Sequence, residues 1–256
     1  MRGQCGETRL AALLWSTMLG VMLSVNGTRL RVVEEGSGPP LVLLHGGPGV
    51  GDYTAPLAAL LNRQFRVVRF DQRGCGASHP TPPFDLQTLL ADLEALRVHI
   101  GAERWLVAGH SWGADVALAY ALSHPERTDA LLHLSGTGVQ NDRDWKAAYE
   151  AGRDSGHEVP GDPGPVNDQA KRSYLASWRA WIKAPELLRR LADCPVPALV
   201  LTGSDDIRPN WPNAQLAALL PNGEFEVIPG AAHTLWATHA EELEKRILSF
   251  IARSVV

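Results

Sequence analysis

Short apolar runs and helical stretches alternate along most of this chain, and that alternation limits the possible folds more than any other feature. "PLVLLHGGPG" (40–49), "FRVVRFD" (65–71), "RWLVAG" (104–109), "DALLHLSG" (129–136), "PALVLTGSDD" (197–206) and "GEFEVIPGAAH" (223–233) read as strands. Between and after them, "APLAALLN" (55–62), "LQTLLADLEALRVHIG" (86–101), "GADVALAYALSHP" (113–125), "NAQLAALLP" (213–221) and "AEELEKRILSFIARS" (240–254) carry helical spacing. Strands joined through helices pair in parallel and need both faces covered. The pattern therefore predicts an α/β fold with a mostly parallel central sheet and helices on both faces. "TRLRVVEEG" (28–36) is partly alternating and predicts a strand near an edge.

The rhythm breaks over 137–192. "RDWKAAYEAG" (143–152) and "AKRSYLASWRAWIKA" (170–184) look helical and flank the Gly-, Pro- and acid-rich "SGHEVPGDPGPVND" (155–168). So long a loop without structure of its own is uncommon in a compact domain, so this stretch predicts a small helical cap. The expected division is an N-terminal extension at 1–24, a core formed by 25–136 and 193–256, and the cap at 137–192. The extension holds an uncharged apolar run, "LAALLWSTMLGVML" (10–23), preceded by Arg2, Glu7 and Arg9. It is shorter than a membrane span. It reads as an upstream extension of a chain starting near Met22, as a packed helix, or as a secretory signal core.

Formal net charge is −4 and no Lys/Arg cluster occurs, which argues against a nucleic-acid partner. The cysteines, Cys5, Cys75 and Cys194, are odd in number and far apart, without metal-ligand spacing. That pattern argues against a disulfide framework and a zinc site, and it fits a cytoplasmic location unless residues 1–24 act as a signal. No metal, no cofactor and no membrane partner is expected, and the oligomeric state stays open.

Within "VAGHSWGADV" (107–116), a serine stands between two glycines at the seam of a strand and a helix. An ordinary turn serine is the bland explanation. The context, however, is the one a nucleophile elbow requires: Gly109 and Gly113 allow a sharp reversal, Ser111 projects, and the Trp112 N–H faces a developing oxyanion at the positive end of a helix. Such a serine needs a base and an orienting carboxylate. Of nine histidines, His79, His99, His124 and His157 read as loop or helix-surface residues, and His133 as a core histidine with satisfied nitrogens. His233 lies just past the last strand, at the sheet edge where functional groups of open parallel sheets collect. Asp205 and Asp206 follow the preceding strand, one suited to orient the base and the other to shape the turn. In "LLHGGPG" (43–49), Gly47 can offer a second oxyanion N–H, while no phosphate-cradle spacing is present.

Together "HGGPG" (45–49), "DQRGCGAS" (71–78), "GHSWG" (109–113), Asp206 and His233 resemble the α/β-hydrolase fold family, and more narrowly its proline iminopeptidase-like branch. The resemblance covers about 25–136 and 195–254. It implies Ser111 as nucleophile, Asp206 as acid, His233 as base, and Gly47 and Trp112 as oxyanion donors. Asp206 is preferred to Asp205 because the family acid usually stands three residues after the strand-ending glycine, here Gly203. Two departures stand out: His110 replaces the glycine usual before the iminopeptidase nucleophile, and the cap is short. In that branch cap acids hold the substrate's α-amine; here Asp142, Asp144, Glu150, Asp154, Glu158, Asp162 and Asp168 are present without a matching motif.

The expected activity is cofactor-independent acyl-bond hydrolysis through a Ser-His-Asp triad on a small molecule or short peptide, either as an iminopeptidase-like aminopeptidase or as a small-ester or lactone hydrolase. Epoxide hydrolases and dehalogenases are disfavoured because they use an aspartate where Ser111 stands, and a non-catalytic binding protein would not need these three residues. His110, Trp178, Trp181, Trp211 and Trp236 are candidate pocket residues. The helical spacing of Trp178 and Trp181 also suits packing of the cap onto the sheet, and Trp145 is a further candidate.

Overall fold

Five of the predicted strands carry apolar residues on both faces, and they lie side by side in one sheet. In β3 (Pro40–Leu44), Leu41 and Leu43 join the apolar cluster on one face while Val42 and Leu44 join the cluster on the other. The same alternation runs through β4 (Arg66–Phe70), β5 (Trp105–His110), β6 (Thr128–Leu134) and β7 (Ala198–Gly203). The computed structural model describes residues 20–139, 143–154 and 164–255. Its sheet has eight strands in the order β1-β2-β4-β3-β5-β6-β7-β8, with β8 at Gly223–Ile228. All pairs from β4 to β8 are parallel; β1–β2 and β2–β4 are antiparallel.

Helices cover both faces. On one face lie α1 (Ala55–Leu61) and the long C-terminal α8 (Trp236–Ser254), burying Leu57, Leu61, Leu243, Ile247 and Phe250. The other face carries α2 (Leu86–His99), α3 (Trp112–Ser123) and α7 (Trp211–Leu219). α3 is buried along nearly its whole length, as its run of Ala, Val and Leu requires. Between β6 and β7 the chain forms α4 (Arg143–Asp154), α5 (Asp168–Trp181) and the short α6 (Leu187–Ala192). The first two fall where the sequence predicts cap helices; α6 was not anticipated.

The edge of the sheet corrects the sequence reading. Val21–Val25 forms β1, although these residues fall largely within the expected N-terminal extension. β1 pairs with β2 (Thr28–Glu35) through a two-residue turn, Asn26-Gly27, at φ 42° and 71°. Asn-Gly favours the turn with two positive φ values that matches strand twist. The strand predicted near an edge, β2, lies second from it. The interpretations of residues 1–19 as extension, helix or signal lie outside the described residues.

A buried ion pair fastens this edge to the core. The Arg73 guanidinium donates to both carboxylate oxygens of Asp92 on α2, at 2.6 and 2.8 Å, and to the Asn26 carbonyl at 2.7 Å. Asn26 Nδ2 in turn donates to Asp92 at 2.8 Å. Arg73 and Asp92 side chains are 3% and 0% exposed, so removing one leaves an uncompensated buried charge. Asp92→Ala is therefore expected to cost about 3–5 kcal/mol of stability, measured by urea unfolding. A loss below about 1 kcal/mol, the range of exposed pairs, would contradict that role.

Candidate active site

β5 carries the chain to the C-terminal edge of the sheet, and α3 begins two residues after β5 ends. Ser111 makes the reversal alone, at φ 56° and ψ −126°. A non-glycine residue enters this region at a cost on the order of 1–3 kcal/mol, so the surrounding structure must hold it there. It does so from both sides. The Ser111 amide donates to Leu134 O on β6 at 2.9 Å, and its carbonyl accepts from Ala114 N at 2.9 Å. The flanking glycines are required by close approach: a Cβ on Gly109 would lie 2.1 Å from Gly113 O, and one on Gly113 would lie 2.2 Å from Leu44 O. The Ser111 side chain is half-buried, and its hydroxyl has no hydrogen-bond partner among the described residues.

Two further loops reach the same edge. Asp206 lies past β7, and His233 lies between β8 and α8. His233 Nδ1 is 2.6 Å from Asp206 Oδ2, which assigns the ring hydrogen to Nδ1 and leaves Nε2 with a free lone pair. The other carboxylate oxygen accepts from Arg208 N at 3.0 Å and Arg208 Nη1 at 3.1 Å. Burial alone would raise the Asp206 carboxyl. The His233 hydrogen bond and charge, with Arg208 behind them, outweigh burial and hold it below the usual carboxylate range. Asp205 points elsewhere: it is exposed and accepts from Ser204 Oγ at 2.8 Å. Of the two adjacent carboxylates, the structure brings Asp206 to His233.

The glycine-rich loop after β3 forms the third side. Gly47 has φ 58°, and a Cβ on its neighbour Gly46 would lie 2.7 Å from Ser111 Cβ. Trp112 is the first residue of α3, so its N–H has no acceptor within the helix. Gln72, inside the DQRGCG motif, links the glycine-rich loop to the start of α3. Its Nε2 donates to His45 O at 2.7 Å, its backbone N to His45 Nε2 at 3.1 Å, and its Oε1 accepts from the Trp112 indole at 2.9 Å. Sequence reading assigned no task to Gln72, Tyr53 or Arg208. The partners of Gln72 and the His110 partner of Tyr53 lie far away in the chain; Arg208 meets its neighbour Asp206 but also Tyr149, and no spacing rule links these contacts.

The helices between β6 and β7 reach this edge. Asn167 caps α5, and it also donates from its backbone N to Gly49 O at 2.8 Å and from Nδ2 to Gly74 O at 2.9 Å. On α4, the Tyr149 ring centroid lies 5.4 Å from the Arg208 guanidinium carbon, and Gly152 packs against Ile207. The candidate tryptophans divide. Trp178 is buried, stacked on Trp181 and edge-on to Trp112 with centroids 6.0 Å apart, so this pair packs α5 against α3. Trp236 is buried beside His110, at 4.7 Å between ring centroids. Trp211 is exposed at the start of α7. Trp145 stacks on Tyr149.

His133 corrects an expectation. It is fully buried, yet neither ring nitrogen has a hydrogen-bond partner; Nε2 stands 3.5 Å from Asp115 Oδ1. Thr137 already occupies that carboxylate through its amide at 2.9 Å and its hydroxyl at 2.7 Å. His79 and His99 are exposed, as expected for surface positions, His124 is half-buried, and His157 lies outside the described residues. Among the described residues no cluster of three or more His, Cys, Asp or Glu is arranged to hold a metal, and no helix is long and apolar enough to cross a membrane. Cys75 and Cys194 are buried and unpaired.

Comparison with known proteins agrees with this architecture. A family model described as the alpha/beta hydrolase fold matches residues 39–155. The proline iminopeptidase of Neisseria gonorrhoeae is 45% identical over 105 residues, which cover 39% of this chain and 34% of that protein. The chain thus matches about a third of the length of such curated relatives. Solved structures align over far more of it. A thermophilic esterase from Thermogutta terrifontis aligns with TM-score 0.73 at 22% identity, covering 92% of this chain and 97% of that one. The enol-lactonase from Burkholderia xenovorans LB400 aligns with TM-score 0.72 at 22% identity, covering 91% and 100%. Those structural likenesses speak to the fold, and the sequence likeness speaks to 39% of the chain. The chain has the α/β-hydrolase fold, and about two fifths of it is similar in sequence to proline iminopeptidases.

Proposed function

We propose that this chain is a serine hydrolase that cleaves an acyl bond without a cofactor. In this reading Ser111 Oγ attacks the acyl carbon and His233 Nε2 takes its proton. Asp206 fixes the imidazole with Nδ1 protonated and stabilises the imidazolium that forms. The N–H groups of Trp112 and Gly47 hold the tetrahedral oxyanion. His233 then returns the proton to the leaving group, and water, activated by the same imidazole, releases the acyl group from Ser111. The observation that carries the reading is the 2.6 Å His233–Asp206 pair at the sheet edge where Ser111 is held at φ 56°. The open Ser111 hydroxyl fits a site whose catalytic hydrogen bond tightens only around substrate.

The geometry favours a neutral ester or lactone over an amine-bearing peptide. An aminopeptidase must meet a charged α-amine with a carboxylate, because burying that charge alone is costly. Asp144, Asp154 and Asp168 of the cap are exposed, and Glu150 pairs with Lys146 at 3.7 Å; Asp142, Glu158 and Asp162 lie outside the described residues. The charge that α4 does meet beside Asp206 is the cation Arg208, which repels an ammonium group. Iminopeptidase-like activity is the second reading, favoured by the 45% identity to a proline iminopeptidase over 105 residues.

Side-by-side assays of a short p-nitrophenyl ester and a proline arylamide separate the two. The ester is expected to be turned over and the arylamide not. Preferential arylamide hydrolysis, with KM for it raised by replacing a cap acid such as Glu150→Gln while the ester KM holds, would reverse the assignment.

A further inference from the structure

The geometry points to Tyr53 and His110 as positioning residues: a one-directional hydrogen-bonded bridge that locks the oxyanion loop, the nucleophile elbow and the base loop into a single unit. The inference rests on the serine-hydrolase reading and adds to it two residues that touch none of the reacting atoms.

Hydrogen-bond accounting fixes the bridge's direction. The Gly46 amide can only donate, and its partner is Tyr53 Oη at 3.1 Å. Tyr53 Oη lies 2.7 Å from His110 Nδ1, and His110 Nε2 lies 2.9 Å from the His233 carbonyl, which can only accept. His110 Nε2 therefore carries the ring hydrogen, Nδ1 is the acceptor, and the phenolic hydrogen points at it. The chain runs Gly46 N–H to Tyr53 O–H to His110 N–H to His233 C=O, with each link used once. Its ends are the neighbour of the oxyanion donor Gly47 and the base itself. Its middle residue directly precedes Ser111.

This direction requires a neutral His110. The side chain is 1% exposed, and burial pushes the imidazole far below its ordinary range; the nearby His233 and Arg208 act the same way, against the His233 carbonyl and Asp206. A second ring hydrogen would face the phenolic one and break the chain. Trp236, three residues after the base, braces the bridge. Its ring stacks on Tyr53 at 6.4 Å and 25° and stands edge-on to His110 at 4.7 Å. Glycine in place of His110 could make none of these links, so the residue before the nucleophile marks a different way of holding the three loops together.

Two measurements test the bridge. In the first, Tyr53→Phe keeps the ring on Trp236 and removes the hydroxyl, while His110→Gln keeps an N–H toward His233 and removes the Nδ1 acceptor. His110→Gln is expected to lower kcat on a short p-nitrophenyl ester about tenfold, the worth of one neutral hydrogen bond, and Tyr53→Phe, which also frees the Gly46 N–H, at least as much, with KM within about twofold in both. Because the Tyr53–His110 bond lost in His110→Gln is already lost in Tyr53→Phe, the double variant is expected to be no slower than Tyr53→Phe alone. Losses that multiply to about a hundredfold would mean independent packing roles and would overturn the proposal. The second is ¹⁵N-histidine NMR of the unaltered protein at pH 7, which is expected to find His110 neutral with its hydrogen on Nε2. A protonated ring, or the Nδ1–H tautomer, would overturn the bridge without reference to activity. Labelling of Ser111 by a fluorophosphonate reports on the hydrolase reading separately, so either can fail while the other stands.

Discussion

Ser111→Ala is expected to lower acyl-ester turnover by about six orders of magnitude, close to the loss of the whole triad, because nucleophile and base act as one unit. The residue at 111 bears no other evident load. Its amide and carbonyl make the structural bonds of the elbow, and the hydroxyl makes none among the described residues. The variant is therefore expected to fold, and relief from a strained serine is not, since alanine meets the same φ. Steady-state kinetics with thermal unfolding as a control read the result. A variant keeping more than about a hundredth of the activity would point to another nucleophile.

The adjacent carboxylates give the next largest contrast. Asp206→Asn is expected to reduce turnover about 10⁴-fold, since an amide cannot hold His233 in the Nδ1–H tautomer. Asp205→Asn is expected to change turnover little, because that side chain is exposed and meets Ser204. The pair also predicts a pH dependence of stability. The Asp206 carboxyl is held below its ordinary range in the folded protein, so its contribution is complete above the ordinary aspartate value and is lost as pH falls through the lowered one. Wild type and Asp206→Asn should thus differ in urea midpoint at neutral pH and converge in acid. A gap that stayed constant to pH 2 would break the link to ionisation.

Much of the fold is legible in the chain because it is carried by local patterning. Runs such as "PLVLL" and "ALVLTG" must be buried on both faces, and the helices between them impose parallel pairing. The elbow is legible for a similar reason: its two glycines answer a local steric demand, and the positions after strand ends mark where Asp206 and His233 emerge. β1 is the instructive miss. Asn26-Gly27 signals a hairpin on its own, but the apolar run before it suggests a leader. The remaining gaps are matters of distance. Tyr53 meets His110 57 positions away, His110 meets the His233 carbonyl across 123, and Gln72 meets Trp112 across 40. No periodicity encodes such contacts; they exist only once parallel strands bring their C-terminal ends to one edge.

The central claim is that Ser111 is a nucleophile activated by His233. Peptide mapping by mass spectrometry after reaction with a fluorophosphonate tests it most directly. The account predicts one adduct per chain, on Ser111, absent from Ser111→Ala and forming far more slowly in His233→Ala. An adduct on a different residue, or labelling that survives in Ser111→Ala, would contradict it.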